Sequence, residues 1–494
     1  MKAFLMFPDR DFDAGQALPW NAESLIQDLE LTEIFKAMAQ DDDFLHQIAR
    51  TALLSSLIQP ELIRYRQDIL QDCLKNPDIV RAIYRLPIES IENKHKHWMG
   101  IFSRYPGGIL SSAVEMMRMF LDLLVRLRRI ADEKSDRFTS QGFTRFFAMI
   151  RHELDDDFFA EAEAHLKELK FRSGVLLGAQ LGPGAEANHY ILRKPDRSQP
   201  WIKQIFSSKL RECSFRLPPR DNAGARILSE IKDQGINRVA NALAQSTDHV
   251  DSFFDMLRTE LAFYIGAMNL HERLSAMGEP LTLPIPAAAS QRRHAFSGLY
   301  DVSLALMTQQ PVVGNTLNAN DKAIAVITGA NQGGKSTFLR SVGQAQLMMQ
   351  SGMFVPAASF SANVCTGLAT HYRREEDASM TSGKLDEELS RMSAIIDHLG
   401  PDALVLFNES FAATNEREGS EIARQIVNAL LEKRVKLFFV THLYAFARDM
   451  YDQKRADAIF LRAERQADGT RTFRIIEGEP LQTSFGEDLY RQIF

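Results

Sequence analysis

Three cysteines in 494 residues, Cys73, Cys213 and Cys365, are too few and too far apart for a disulfide framework, and no C-x-x-C pair suggests a zinc site. Each reads as a small buried hydrophobe. Long apolar runs are also missing. No stretch approaches the roughly 20 apolar residues of a membrane span. The opening MKAFLMFPDRDFD keeps only a few apolar residues before Pro8 and Asp9, so a secretory leader is not expected. The expected compartment is a reducing cytoplasm, with no membrane partner. Net charge is the third thing in short supply: 58 Lys and Arg against 64 Asp and Glu give -6. A chain coated in positive charge is excluded, and any polyanionic partner needs a local basic strip.

What is present is enough apolar residue, 45%, for more than one core. At about 150 residues per domain, two to four domains are expected. Residues 1–43 form an N-terminal segment with a short helical pattern (Leu25, Leu29, Ile34, Phe35) and no evident chemistry. From Phe44 the spacing predicts helices, with Pro60 and Pro77 in first turns, where the missing N–H costs nothing. Gly107-Gly108 is expected to separate this block from a helix over Ser111 to Lys134, and another helix is expected from about Gly142 to Arg172. Gly-Pro-Gly punctuation between short β-like runs predicts a small β insert near 174–216. The strip Arg193 to Arg226 carries nine Lys or Arg against three Asp or Glu, together with Trp201, Phe206 and Phe215. Such a strip can hold a phosphodiester backbone, and Lys203, Lys209 and Arg211 are its candidate DNA contacts; a solvated face is the other reading. Next comes a long helix with a break expected at Gly235. Its Asn237 to Met277 portion repeats apolar residues at close to 3.5 and would span on the order of 60 Å. Three prolines in Pro280 to Ala289 predict a linker.

The most informative stretch is Lys322 to Thr337, KAIAVITGANQGGKST, an apolar strand running into a glycine-rich turn. It fits G-x-x-x-x-G-K-[ST] with Gly329, Gly334, Lys335 and Ser336 in the fixed places. Backbone N–H groups can surround a triphosphate only where no Cβ blocks the approach, and the following helix turns its positive end to the same anion. The expected ATP-binding set is Gly329, Ala330, Asn331, Gln332, Gly333, Gly334, Lys335, Ser336 and Thr337. Lys335 is to reach the β- and γ-phosphates, and Ser336 is to ligate Mg²⁺. DALVLFNES is a buried strand that delivers Asn408 and Glu409 at its carboxyl end, where ligands lie in an open α/β sheet. Glu409 is placed to orient or deprotonate the attacking water, and His442, after VKLFFVTH, to contact the γ-phosphate. IFLRAERQADGTRTFRIIEGEP reads as a terminal hairpin.

GANQGGKST, GMFVPA, ALVLFNES and FVTHLYAFA, in that order over about the last 200 residues, resemble the ATPase domain of the MutS family of DNA mismatch-repair proteins. Upstream, PELIRYRQDILQDCLKNPDIVRAIY and TELAFYIGAMNLHERL are similar to that family's helical core and lever region. The resemblance implies a multidomain fold: a mainly α-helical core and lever region over 44–285, then an α/β P-loop (ABC-type) ATPase domain over 286–494. It implies ATP and Mg²⁺ as cofactors, a homodimer paired through the ATPase domain, and coupling of nucleotide state to DNA. The sequence departs from the family's pattern in several places. There is no room before residue 44 for the mismatch-reading domain. The strand that ends Asp-Glu in the family ends Asn408-Glu409, making Asn408 the second magnesium-side residue. Gly-Arg-Gly-Thr becomes Phe411-Ala412-Ala413-Thr414, and the signature donated across the dimer becomes SGKLDEEL, with Ser382 as its candidate group. Two functions are open on this reading. One is a DNA-associated ATPase in repair or recombination; the other is a nucleotide-binding switch or scaffold that scarcely hydrolyses ATP and acts through a protein partner.

Overall fold

The structure, a computed structural model, describes residues 1–97, 105–171, 174–194, 214–218, 220–330, 332–374, 383–466 and 471–481. Two compact units emerge, and they do not follow divisions at 43/44 and 285/286. One takes residues 1–3, 81–136 and 144–258, and the other takes 4–80, 137–143 and 259–494. The boundary at 258/259 falls inside one helix.

In the first unit, Pro106–Lys134 is a single helix, so Gly107 and Gly108 begin it rather than precede it. Gly107 donates its N–H to Asp233 Oδ1 at 3.1 Å, a contact that a side chain would crowd. The helix expected over 142–172 is two helices, Gln141–Glu153 and Asp156–Glu168, because the Asp155 carboxylate caps the second by accepting from Phe158 N–H at 2.7 Å. The β insert is an antiparallel hairpin of β1 (Leu177–Leu181) and β2 (Ala187–Leu192). The break expected at Gly235 does not occur, since Asn222–Ala276 is one helix of 55 residues. A Cβ at Gly235 would lie 2.4 Å from Leu177 Cδ2, so this glycine faces a neighbouring side chain within the helix and makes no turn.

The second unit contains two sheets. The first has the order β3-β7-β4-β5, built from β3 (Ile285–Ala287), β4 (His294–Leu299), β5 (Asn315–Asn318) and β7 (Ser359–Asn363). The expected linker Pro280–Ala289 therefore supplies an edge strand, the place where a sheet tolerates proline. The second sheet has the order β12-β11-β6-β10-β9-β8. Its parallel strands are β6 (Ile324–Thr328), β8 (Leu368–Tyr372), β9 (Leu404–Asn408), β10 (Lys436–Val440) and β11 (Ala458–Arg465), with β12 (Arg471–Glu477) antiparallel at one edge. The central strands β6 and β10 are buried at every position, which explains the apolar runs Ile324–Ile327 and Leu437–Val440 within them.

Residues 4–80 join this unit because they satisfy the polar groups of the helix Lys335–Ser351, which is buried along most of its length. Gln344 Nε2 donates to the Leu29 carbonyl and Gln350 Nε2 to that of Leu57, each at 3.0 Å. Arg66, buried, donates through Nη1 to the Ser351 carbonyl at 3.1 Å and through Nε to that of Met6 at 2.9 Å, with Phe7 under its guanidinium. Across the same segment, the carboxylate of Glu260 accepts the N–H groups of Leu5 at 2.6 Å and Phe12 at 3.2 Å. A buried polar group needs such partners.

Burial raises the Glu260 pKa from 4.5 to about 7. A carboxyl that holds its proton more tightly when folded contributes stability below the unfolded pKa, and that contribution is lost as pH rises through 7. The loss between pH 4.5 and 8 is ~3 kcal/mol at about 1.4 kcal/mol per pH unit. Urea unfolding of the parent and of Glu260→Gln at pH 5 and pH 8 checks this: the parent's stability should fall relative to the variant's at the higher pH. Equal pH dependence would contradict it.

Candidate functional site

Register brings the carboxyl ends of β6, β10 and β9 to one edge, with Val440 opposite both Ile327 and Asn408. The loop after β6 curls through positive φ at Gly329 (122°), Gln332 (58°) and Gly334 (86°), and the helix begins at Lys335. Added Cβ atoms at Gly329 and Gly333 would lie 2.9 Å from Ala463 N and 2.7 Å from Ala463 Cβ, so β11 closes the loop from outside. Only glycine fits there.

Lys335 is 4% exposed, and its Nζ donates to the carbonyls of Gly329 at 2.9 Å and Ala330 at 2.8 Å. Burial lowers its pKa to about 8, against the pull of Glu409. Ser336 Oγ donates to Asn408 Oδ1 at 3.1 Å, which places two neutral oxygen donors together, the ligand type that a hard divalent cation takes. Charge balance for such a cation would have to come from an anionic ligand. Glu409 Oε1 accepts from His442 Nε2 at 2.8 Å. That hydrogen bond, with lesser help from Lys335 and Arg373, holds the Glu409 carboxyl below its ordinary value despite burial. Glu409 is thus a carboxylate at neutral pH.

Beside the loop lies a cavity of about 480 Å³, lined by Gln332 to Phe338, Glu409, the segment Leu299 to Val313 and Phe473. An edge-on anion site opening into an apolar-walled cleft of this size can take a nucleotide, with its phosphates on the loop and its base in the cleft. Sequence reasoning missed three contributors. Arg373 follows β8 and places Nη1 4.0 Å from Glu409 Oε2; reading LATHYRR as one more strand of the same sheet would have found it. Phe473 has φ 57° and abuts Gly334 through its carbonyl. Arg471 Nη1 donates to Gln332 Oε1 at 2.6 Å. No local signal marks the last two, since they reach the loop only through the pairing of β11 with β6. Asn331, Ser382, Lys203, Lys209 and Arg211 lie outside the described residues, as do Trp201 and Phe206. Among the described residues, no cluster of three or more His, Cys, Asp or Glu could hold a metal ion, and no helix is long and apolar enough to cross a membrane.

A helical region followed by a parallel-sheet domain with a glycine-rich loop at its carboxyl edge is the class that fold and site define. Residues 58–277 match the family described as MutS2 N-terminal domain, and residues 325–492 match MutS domain V. The chain belongs to the MutS family. The DNA mismatch repair protein MutS of Leptospira interrogans serogroup Icterohaemorrhagiae serovar Lai (strain 56601) is 29% identical over 222 residues, covering 44% of this chain and 26% of that protein. Endonuclease MutS2 of Streptococcus equi subsp. equi is 32% identical over 137 residues, 28% of this chain and 18% of that protein. MutS protein homolog 4 of Mus musculus is 26% identical over 167 residues, 34% and 17% respectively. The aligned stretches thus span about a quarter or less of each relative.

Replacing Lys335 by Ala should weaken ATP binding by roughly 1.5 to 3 kcal/mol, about 10- to 100-fold in Kd. Because the free Lys335 ammonium loses its proton above about 8, the parent's Kd should also rise between pH 8 and 9.5, approaching about tenfold per pH unit, while Lys335→Ala stays flat. Calorimetric titration across that range decides it; a pH-independent parent would remove Lys335 from the site.

Proposed function

We propose that the chain is a MutS-type ATPase of the P-loop (ABC) class that binds ATP with Mg²⁺ and hydrolyses it, with nucleotide state coupled to DNA in repair or recombination. The observation that carries this reading is the convergence, at one sheet edge, of an anion-shaped loop with Lys335, the Ser336–Asn408 oxygen pair and the His442-held carboxylate of Glu409. The loop N–H groups and Lys335 bind the phosphates. Lys335 leaves its two loop carbonyls to do so, which costs little, because the phosphate oxygens replace them as acceptors. Ser336 and Asn408 would hold Mg²⁺, which neutralises phosphate charge when bound. Glu409 orients a water in line with the γ-phosphorus and takes its proton as the bond to ADP breaks. His442 fixes the carboxylate rotamer through Oε1 and leaves Oε2 for the water. Arg373, on the Oε2 side, supplies positive charge near the γ-phosphoryl oxygens, where negative charge is spread in the transition state.

The family's dimer would pair two such domains, with Ser382 facing the partner's nucleotide. The 55-residue helix, shared between the two units, is the element suited to link ATP to DNA. The relatives named mismatch repair protein and endonuclease lend the DNA context. One observation favours a switch with little hydrolysis: Asn408 gives a magnesium site no charge of its own.

Turnover separates the readings. Glu409→Gln should bind ATP as the parent does and release phosphate more slowly by a factor of about 100 or more. Equal steady-state rates would remove Glu409 from the mechanism, and a parent that binds ATP without releasing phosphate would leave the switch as the better account. Binding to DNA should weaken with salt at a log-log slope of about -0.9 per phosphate neutralised on duplex DNA, and reversing the charge of Lys203, Lys209 and Arg211 should flatten that slope without altering ATP affinity. Salt-insensitive binding would dismiss the strip as a contact.

A further inference from the structure

The turn that carries Glu409 has a demanding backbone. Glu409 and Phe411 have φ of 55° and 63°, and neither is glycine. Residues with a Cβ stay in that region only where their surroundings over-determine it. In the Gly-Arg-Gly-Thr pattern of the resembled family, a glycine stands at the second of these positions and needs no such help. Here the surroundings supply it.

Ser410, fully buried between the two, places Oγ 2.7 Å from Nδ1 of His371 and 2.6 Å from the His371 carbonyl oxygen, so its one proton has two acceptors on β8. The His371 ring stacks on Phe411, with centroids 5.3 Å apart and planes 21° from parallel. Its Nε2 lies 3.0 Å from the Glu388 carbonyl, which can only accept, so the proton sits on Nε2 and Nδ1 is left to receive the serine hydroxyl. Burial, with Arg391 nearby, holds the His371 pKa down at about 4, and the ring is neutral. Glu388 itself is buried on the helix Lys384–His398, and its carbonyl fixes the ring through Nε2. Every residue of the turn after Glu409 is thereby tied to β8 or to the helix Lys384–His398.

We propose that His371 and Ser410, backed by Glu388, form a clamp that holds the Glu409-Ser410-Phe411 turn in its left-handed conformation and so aims the Glu409 carboxylate at the attacking water. They are positioning residues, and they act through Glu409. The clamp rests on the ATPase reading. It also explains why Phe411 stands where glycine would be easier: its ring is the surface on which His371 stacks.

Ser410→Ala removes one oxygen, and His371→Ala removes the ring. In the purified full chain with Mg²⁺, each should lower kcat about tenfold or more while KM for ATP and Kd for ADP stay within about twofold, since a misaimed base harms the transition state and not binding. In a Glu409→Gln background, neither should lower the residual turnover further, because the clamp has no other route to the chemistry. If His371→Ala fails to fold, Ser410→Ala alone carries the test, with its thermal midpoint as the check on folding. A parent without turnover overturns the ATPase reading and the clamp with it, and Glu409→Gln as active as the parent removes Glu409 from the mechanism and the clamp that acts through it. Turnover that needs Glu409 but is indifferent to Ser410 and His371 overturns the clamp alone. A kcat loss matched by equal loss of ADP binding, or added to that of Glu409→Gln, also overturns it, because the pair would then be general structural support.

Discussion

The glycine-rich loop before Lys335 sets the terms for its surroundings, because it turns through positive φ at Gly329, Gln332 and Gly334 and leaves no room for a Cβ at Gly329 or Gly333. That geometry is not self-supporting. Ala463 of β11 presses on Gly329 and Gly333, and the Phe473 carbonyl of β12 abuts Gly334. The strands that shape the loop therefore come from more than 100 residues downstream in the chain. Their place beside β6 is secured by the parallel pairing Ala458 to Arg462 against Ile324 to Thr328. A change in the hairpin would reach the loop without touching its sequence.

The helix after the loop carries an uncommon load of buried polar side chains. Gln344, Gln346, Gln350 and Ser351 are all inaccessible, and they are satisfied largely by backbone groups of Leu29, Leu57, Asn363 and Cys365. At its far end the Ser351 carbonyl meets Arg66, whose Nε holds the Met6 carbonyl in the strap that Glu260 grips from the long helix. A chain of hydrogen bonds thus runs from the end of the loop helix to the long helix within one compact unit. On the proposed function, this is the path by which nucleotide state would reach that helix.

How much of this was legible in the sequence depends on the range of the determining contacts. The loop, the strand ends at Asn408 and His442 and the terminal hairpin are local patterns with strong constraints, and the structure has them where the sequence puts them. The expected ligand pair Ser336 and Asn408 meets at hydrogen-bond distance. Breaks were read less well. Gly235 punctuates nothing, because the helix Asn222–Ala276 continues through it. The three prolines Pro280, Pro284 and Pro286 suggested a linker, but an edge strand forms there and accepts Pro286. Membership of residues 4–80 in the loop-bearing unit was illegible, since it rests on Arg66 and on glutamines hundreds of residues away in sequence. Phe411 at a positive φ was visible as a departure from Gly, but its compensation by His371 required the sheet.

The central claim is that the loop edge is a Mg²⁺-dependent ATP hydrolysis site. Phosphate release by the purified protein, followed as a function of ATP at fixed enzyme with and without Mg²⁺, tests it most directly. The account predicts saturable release that requires the metal, with a carboxylate already ionised at neutral pH and so little dependence on pH between 6 and 7.5. Tight, saturable ATP binding with no release above an enzyme-free blank would contradict it.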